Sequence, residues 1–337
     1  MITVGFTYDL RDDYLALGFS EEESAEFDSR ETIDFVTQAL EANGYRVEPI
    51  GNIKALAAAL VAGKRWDLVF NLCEGVKGIG REAQVPALLE AFDVPFVFSS
   101  SDIMVLTMNK ALAKHVIREA GIPTPSFAVL ETVADVQRLD LRFPVFAKPL
   151  AEGTGKGISG KSLIQDKAAL QQICGEIIDK FKQPALVETY LPGRDLTVGM
   201  LGSGPTARVV AVLETLYKEG AEPGSQSYFN KENCEKVLEY VVINDGVAEA
   251  AAEIALRSWR ALGCVDGGRV DLRCDAQGIP NFLEVNPMAG LHPTHSDLPI
   301  LAAQVGMNHT QLIGEIMQEA LSRYGLKAPK KVSSVGV

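Results

Sequence analysis

Apolar residues along the first hundred positions switch between two periods. Residues 2–7, 46–50 and 67–72 are short apolar runs that read as strands. Between the first two, Ile33, Val36 and Leu40 recur at helical spacing. Asp28 is the predicted cap of that helix, with Glu31 at the capping-box position and Gly44 as its stop. Helical patterns over 55–62 and 82–92 continue the series. Strands alternating with helices imply a parallel sheet with helices on its faces. Residues 9–27 interrupt the alternation as a long acidic insertion, expected to be a lid or loop.

A helix is predicted from about Met108 to Gly121. Ile122-Pro123-Thr124-Pro125 then forms a rigid extended link. Residues 143–149 and 161–165 read as strands around a glycine-rich turn. Asp166 caps a helix through Ile178, and 185–188 is another strand. Residues 195–201 and 207–213 read as paired strands. The stretch 214–244 is long, polar and without a clear period, which marks a functional or disordered loop. Helices over 247–262 and 310–324 follow. There is no internal repeat and no low-complexity tract.

The most informative chemistry lies between those last two helices. Gly268-Arg269-Val270-Asp271-Leu272-Arg273 and Asn281-Phe282-Leu283-Glu284-Val285-Asn286-Pro287 read as two strands joined by a turn at Asp275-Ala276-Gln277-Gly278. Period-2 geometry puts Glu284 and Asn286 on one side of their strand, and a hairpin brings Asp271 to the same face. Two carboxylates and a carboxamide are hard oxygen ligands. They suit Mg²⁺, which takes a few carboxylates plus the phosphates of its substrate. Arg269 shares that face, where a cation beside a metal cluster binds a phosphate or a tetrahedral oxyanion.

Composition sets bounds on this picture. The chain has 337 residues, of which 47% are hydrophobic, enough to bury the cores of two or three domains. A net charge of −12 and a pI near 4.9 argue against a nucleic-acid partner. Five cysteines, odd in number and without a CxxC pair, predict a reduced, cytoplasmic compartment. The four histidines show no metal spacing. The chain opens on a strand pattern rather than a signal peptide, and no apolar run approaches the roughly 20 residues that span a bilayer. The expected partners are small molecules, with no nucleic acid and no membrane.

Glu152-Gly153-Thr154-Gly155-Lys156-Gly157 opens a glycine-rich segment in which Gly155 to Ser162 matches GxxxxGK[ST] literally. A phosphate loop of that kind needs a helix starting at the Lys-Ser pair. Here Lys161 begins a short apolar run, and the helix cap comes later, at Asp166. A β-hairpin whose turn offers backbone N–H groups to phosphates is the better reading, with an ordinary flexible turn as the alternative. Lys148 sits in an apolar strand, where a lysine needs a partner such as a phosphate. Lys110 opens a helix and reads equally as a surface lysine. Glu188, with backbone groups at the end of its strand, can take the amine of adenine. Lys231 lies in the polar stretch, where a plain surface charge is the alternative.

Together these motifs resemble the ATP-grasp superfamily, and most closely the D-alanine–D-alanine ligases. The carrying segments are Met108-Asn109-Lys110, Phe143-Pro144-Val145-Phe146-Ala147-Lys148-Pro149, residues 152–157, Val187-Glu188, Gly268-Arg269-Val270-Asp271 and Leu283-Glu284-Val285-Asn286. The resemblance implies an α/β, three-domain ATP-grasp fold. An N-terminal Rossmann-like parallel-sheet domain (1–106) would precede two α+β domains clasping ATP. These are a central subdomain with the glycine-rich loop (107–191) and a C-terminal subdomain with the metal site (192–325), before a loose tail (326–337). Lys110 and Lys148 would bind ATP phosphates, as would the Glu152, Gly153 and Gly155 loop. Glu188 and Leu191 would hold adenine and Asp195 the ribose. Lys231 would reach the γ-phosphate. Asp271, Glu284 and Asn286 would bind two Mg²⁺, with Mn²⁺ as a substitute. Arg269 and the Gly290 backbone would stabilise the oxyanion, and Thr154 would link loop to substrate. The resemblance also implies a homodimer.

The departures cluster on the amino-acid pockets. Glu26 or Asp28 stands in for the family's ammonium-binding Glu, Glu74 replaces a histidine, and Arg81 lies in a run that is usually Glu-Asp-Gly. Glu232 follows Lys231 where a tyrosine is common. His292, His295 and Ser296 are candidates for contact with the second substrate, a structural hydrogen bond being the alternative for His295. The expected reaction is ATP-dependent ligation of two amino acids, or an amino acid and a dipeptide, through an acylphosphate, as in cell-wall peptidoglycan synthesis. An ATP-grasp ligase tailoring another peptide and a non-catalytic ATP-binding regulator are the rival readings.

Overall fold

The computed structural model describes residues 1–222 and 224–329. The first strand, β1 (Thr3–Tyr8), runs parallel to β2 (Arg46–Gly51) on one side and β3 (Leu68–Leu72) on the other. Every residue of β3 is buried, as expected for a parallel strand covered on both faces. The covering helices are α1 (Arg11–Ala16), α2 (Arg30–Ala42), α3 (Ile53–Val61), α4 (Gln84–Ala91) and α5 (Ser101–Met108). Ser29, not Asp28, caps α2: its hydroxyl accepts from Thr32 N at 3.1 Å. Asp28 falls one residue short because its backbone pairs with Asp9 and Arg11, at 3.1 and 2.9 Å. The acidic insertion is not a bare loop either. It contains α1, and it stacks Tyr14 and Phe27 with ring centroids 4.3 Å apart inside the fold.

The predicted helix from Met108 is two helices. Asn109 accepts from Leu112 N and so starts α6 (Lys110–Glu119) afresh after α5. The extended link that follows lies along the edge of a later strand, where Pro123 O accepts from Phe282 N at 2.8 Å. A second sheet is built from β4 (Phe127–Leu130), β5 (Val145–Pro149), β6 (Leu163–Ile164) and β7 (Ala185–Thr189), in the order β4-β7-β5-β6. Its pairs are antiparallel, and α7 (Lys167–Phe181), capped by Asp166, covers it. The glycine-rich segment therefore joins β5 and β6 as a hairpin. Lys161 and Ser162 lie in a single 3₁₀ turn, so the literal phosphate-loop match has no helix behind it.

The third sheet is antiparallel, ordered β10-β9-β8-β11-β12. It comprises β8 (Asp195–Leu201), β9 (Arg208–Tyr217), β10 (Leu238–Ile243), β11 (Gly267–Cys274) and β12 (Pro280–Asn286). The polar stretch 214–244 is largely ordered: β9 extends to Tyr217, then α8 (Tyr228–Glu232) and α9 (Cys234–Val237) lead into β10. As an edge strand, β10 is only partly covered, which is why its sequence lacks a clean alternation. The fold closes with α10 (Gly246–Ala261), α11 (Asp297–Gln304) and α12 (His309–Arg323).

Three main apolar clusters organise the interior. One joins β1 and β3 to α12 through Val4, Phe6, Phe70, Ile313 and Ile316. A second surrounds Trp259 between α10 and the third sheet. A third lies between α7 and the second sheet. Arg323 ties the first to the third sheet: it donates to Asp266 Oδ2 at 2.7 Å and to Phe96 O at 2.9 Å. Leu326 packs onto the first cluster, so the expected loose tail begins later than Leu326, and residues 330–337 lie outside the described residues. The five cysteines are buried and unpaired. No helix among the described residues is long and apolar enough to cross a membrane.

Candidate active site

The β11–β12 hairpin sets the geometry. Asp275 Oδ1 accepts from Gln277 N and Ile279 N, at 2.9 and 3.0 Å, which closes the turn. The resulting register places Asp271 opposite Glu284 and Arg269 opposite Asn286. Asn286 Nδ2 donates to Asp271 Oδ2 at 3.1 Å, and Thr197 on β8 donates to Asp271 Oδ1 at 2.9 Å. Arg269 pairs with Asp271 and lies 3.6 Å from Asp297. The expected convergence of Arg269, Asp271, Glu284 and Asn286 is thus present. Burial opposes ionisation of Glu284, yet Lys110, Lys148, Lys231 and Arg269 outweigh it and hold the carboxyl far below its ordinary range. Burial raises Asp271, with Arg269 only partly offsetting it.

Two carboxylates and a carboxamide fit a Mg²⁺ ion that arrives with phosphate oxygens of its own. They do not form a free-standing cage, since no group of three or more His, Cys, Asp or Glu among the described residues is arranged to hold a metal.

Above this hairpin, Lys110, Lys114, Lys148 and Glu188 interlock with Glu284. Lys148 Nζ lies 3.1 Å from Glu188 and 3.5 Å from Glu284, and Lys110 Nζ lies 3.7 Å from Glu284. Lys114, wholly buried on α6, closes on Glu188 at 2.6 Å. Sequence reasoning missed Lys114. Its position four residues after Lys110, on the stripe that carries Ala113 and Ile117, was the available signal. Burial pulls its pKa down to about 8, and Glu188 only partly restores it. Both oxygens of Glu188 face lysines, so its carboxylate is not free for a base amine as expected. Glu188 lines the cleft together with Thr189, Tyr190 and Leu191.

That cleft, open to solvent, spans about 850 Å³. Lys110 and Lys148 mark one end. At the other, Asp195 on β8 accepts from Tyr217 and, at 3.5 Å, from Gln226. The glycine hairpin roofs it. Lys110 Nζ donates to Glu152 O at 2.5 Å, and Gly155 has φ +69° with no room for a side chain against the backbone of Gln226 and Tyr228. Glu152 lines the cleft too, its carboxylate paired with Lys156 at 2.6 Å and Gln183 at 2.8 Å.

A second cavity of about 1540 Å³ meets the first at Gln226 and Lys231, which line both. Thr154, Arg269, Gly290, His295, Ser296 and Asp28 line it. Gly290 is held close to Ser296, whose Oγ accepts from His292 N at 3.1 Å. Glu26 reaches the rim, but Arg81, Lys156 and Gly153 N occupy its carboxylate, so it cannot serve an ammonium as expected. Arg81 is consumed in that network and does not line this cavity. Glu74 lines neither cavity; burial and neighbouring acids push its pKa well up. Asp28 has no side-chain partner among the described residues, and burial beside Asp9 pushes its pKa up to about 7.

Residues 116–318 match the family model described as D-ala D-ala ligase C-terminus. The uncharacterized protein y4sG of Sinorhizobium fredii is 36% identical over 76% of this chain and 75% of its own length. The D-alanine–D-alanine ligase of Bordetella avium is 31% identical over 83% of this chain and 85% of its own. Among solved structures, the D-alanine–D-alanine ligase of Bacillus anthracis complexed with ATP superposes with a TM-score of 0.71 at 20% identity, covering 96% of this chain and 99% of that one. The VanG D-Ala:D-Ser ligase of Enterococcus faecalis gives 0.71 at 19% identity, covering 95% and 99%. Those likenesses establish the three-domain ATP-grasp fold, and with the family match they place the chain in the D-alanine–D-alanine ligase family of carbon–nitrogen bond-forming ligases.

Proposed function

We propose that this protein joins two amino acids at the expense of ATP, through an acylphosphate, releasing ADP and phosphate. One observation carries the reading: Lys231, which lines the lysine-lined cleft along with the Asp271/Glu284 pair, also lines the second cavity. A triphosphate in the first space would end beside a substrate in the second.

In this reading Lys110 and Lys148 hold the phosphates, and the Gly153 and Gly155 turn covers them. The backbone around Leu191 takes the base, and Asp195 takes the ribose. Mg²⁺ carried in by the triphosphate would be held by Asp271, Glu284 and Asn286, and would neutralise charge on the phosphoryl group in flight. Lys231 faces the γ-phosphate from α8 as the first substrate's carboxylate attacks it. Of the two candidates for that substrate's ammonium, Glu26 is spent on Arg81 and Lys156, which leaves Asp28. The second amine attacks the acyl carbon, the oxyanion faces Arg269 and the Gly290 backbone, and phosphate leaves. Thr154 and the α8 segment shield the intermediate from water.

The test is product analysis with purified protein, ATP, Mg²⁺ and pairs of D- and L-amino acids. ADP and phosphate should form only when an acceptor is present. Release of AMP and pyrophosphate would overturn the acylphosphate route.

A further inference from the structure

Arg273 follows Asp271 by two residues on β11, so it projects from the same strand face into the 850 Å³ cleft. It is 91% buried by its exposure of 9%. An arginine that deep needs its donors met. Only part of it is served: Nη1 donates to Gly224 O at 2.6 Å and lies 3.7 Å from Asp195, while the guanidinium stacks 5.5 Å from the Tyr190 ring. Its Nε–H is buried with no acceptor among the described residues. A charged donor left without a partner inside a cleft is costly unless something that enters the cleft accepts from it.

The surroundings say which part of a nucleotide that is. Arg273 stacks on Tyr190, which with Thr189 and Leu191 lines the part of the cleft assigned above to the base, and Asp195, its direct neighbour across the sheet, is the group assigned to the sugar. Lys110 and Lys148 meet at Glu284, which stands opposite Asp271 and not Arg273, so the phosphates are assigned there and are not the acceptor. We infer that Arg273 reads the nucleoside: it donates from Nε to an acceptor at the base–sugar junction, and so sets nucleotide affinity and selectivity. Two acceptors meet that description, the sugar O2′ and the purine N3. This rests on the proposed use of ATP.

The experiment measures binding of ATP, 2′-deoxy-ATP and 3-deaza-ATP, with Mg²⁺, to the unaltered protein, R273M and R273K by calorimetry. The unaltered protein should bind ATP and lose about tenfold or more towards one analogue, the scale of one charge-assisted hydrogen bond. R273M should bind ATP about tenfold more weakly and distinguish that analogue less than the unaltered protein does. R273K keeps a cation able to reach Gly224 O but has no Nε donor, so it should restore part of the affinity without the discrimination. Equal weakening of all three ligands in R273M with discrimination intact would mean that Arg273 only supports the Gly224 loop, and would overturn the assignment. Recovery of discrimination in R273K would do the same. Failure of the unaltered protein to bind ATP would strike the proposed function instead.

Discussion

Glu26 and Arg81 meet through one nitrogen: Arg81 Nη2 donates to both carboxylate oxygens of Glu26, at 2.9 and 2.8 Å, with neither side chain more than 7% exposed. Lys156 Nζ joins the same carboxylate at 2.9 Å, and Gly153 N donates to it at 2.7 Å. Arg81 and Glu26 belong to the first sheet's unit, whereas Gly153 and Lys156 belong to the glycine hairpin. The pair therefore clamps the roof of the nucleotide cleft to the N-terminal part of the molecule.

Removing Glu26 leaves Arg81 and Lys156 to share Glu152 as their one carboxylate partner, at 3.4 and 2.6 Å, so the loss is at most the roughly 3–5 kcal/mol of a broken buried pair. Glu26→Ala should lower the unfolding midpoint and open residues 153–160 to proteolysis. An unchanged midpoint with a protected hairpin would show that the clamp does not hold the loop.

Glu284 touches both phosphate-end lysines and faces Asp271. Glu284→Ala should cut turnover by about 100-fold or more, the scale of several kcal/mol of lost charge stabilisation, while circular dichroism stays that of the folded protein. Near-normal turnover in that variant would remove the metal assignment.

Gly155 would place a Cβ 2.7 Å from Tyr228 N and 2.8 Å from Gln226 O, both backbone atoms that cannot swing aside. Its φ of +69° adds strain of about 1–2 kcal/mol for any L side chain. Gly155→Ala should raise the KM for ATP about tenfold with a smaller change in kcat, as steady-state kinetics at saturating amino acids would read. An unaltered KM would place the hairpin away from the nucleotide.

Asp28 carries a pH signature. Its folded pKa is raised from 3.8 to about 7 by burial and by Asp9. The folded protein thus keeps a proton that the unfolded chain has released between about pH 4 and 7. Stability attributable to this group is present below pH 4, declines through that window and is gone above 7. Asp28→Asn should therefore be the more stable protein at pH 8, by up to about 4 kcal/mol, with the difference vanishing near pH 4. The same variant should bind the first amino acid more weakly at pH 8, and wild-type affinity should rise as pH passes 7. Paired denaturant titrations at pH 4 and 8 decide the first point. A stability difference independent of pH would refute the raised pKa.

Much of this arrangement was legible from residue order. The Asp271, Glu284 and Asn286 face follows from a two-residue period and a four-residue turn, which are local. Lys148 declared itself as a charge in an apolar strand, and the late cap at Asp166 was enough to reject a phosphate loop. The stretch 214–244 misled because an edge strand and two short helices leave a weak periodic signal. Asp28 misled as a cap because its backbone is engaged by Asp9 and Arg11, a pairing that no helix-start pattern reveals.

Local periodicity and residue chemistry thus determined the parallel first sheet and the metal-suited hairpin, and the class of reaction came from the resemblance that the motifs carry together. Which charge neutralises which was settled only in three dimensions. Glu26 with Arg81, Glu188 with Lys114 and Arg273 with Gly224 are 55, 74 and 49 residues apart, respectively. The physical reason is the cost of burying charge. Every ionised group drawn into the interior must find a partner there. The partner is chosen by the packing of sheets and helices that are distant in the chain, and Asp28 and the Nε of Arg273, which line the two cavities, are among the groups left without one among the described residues.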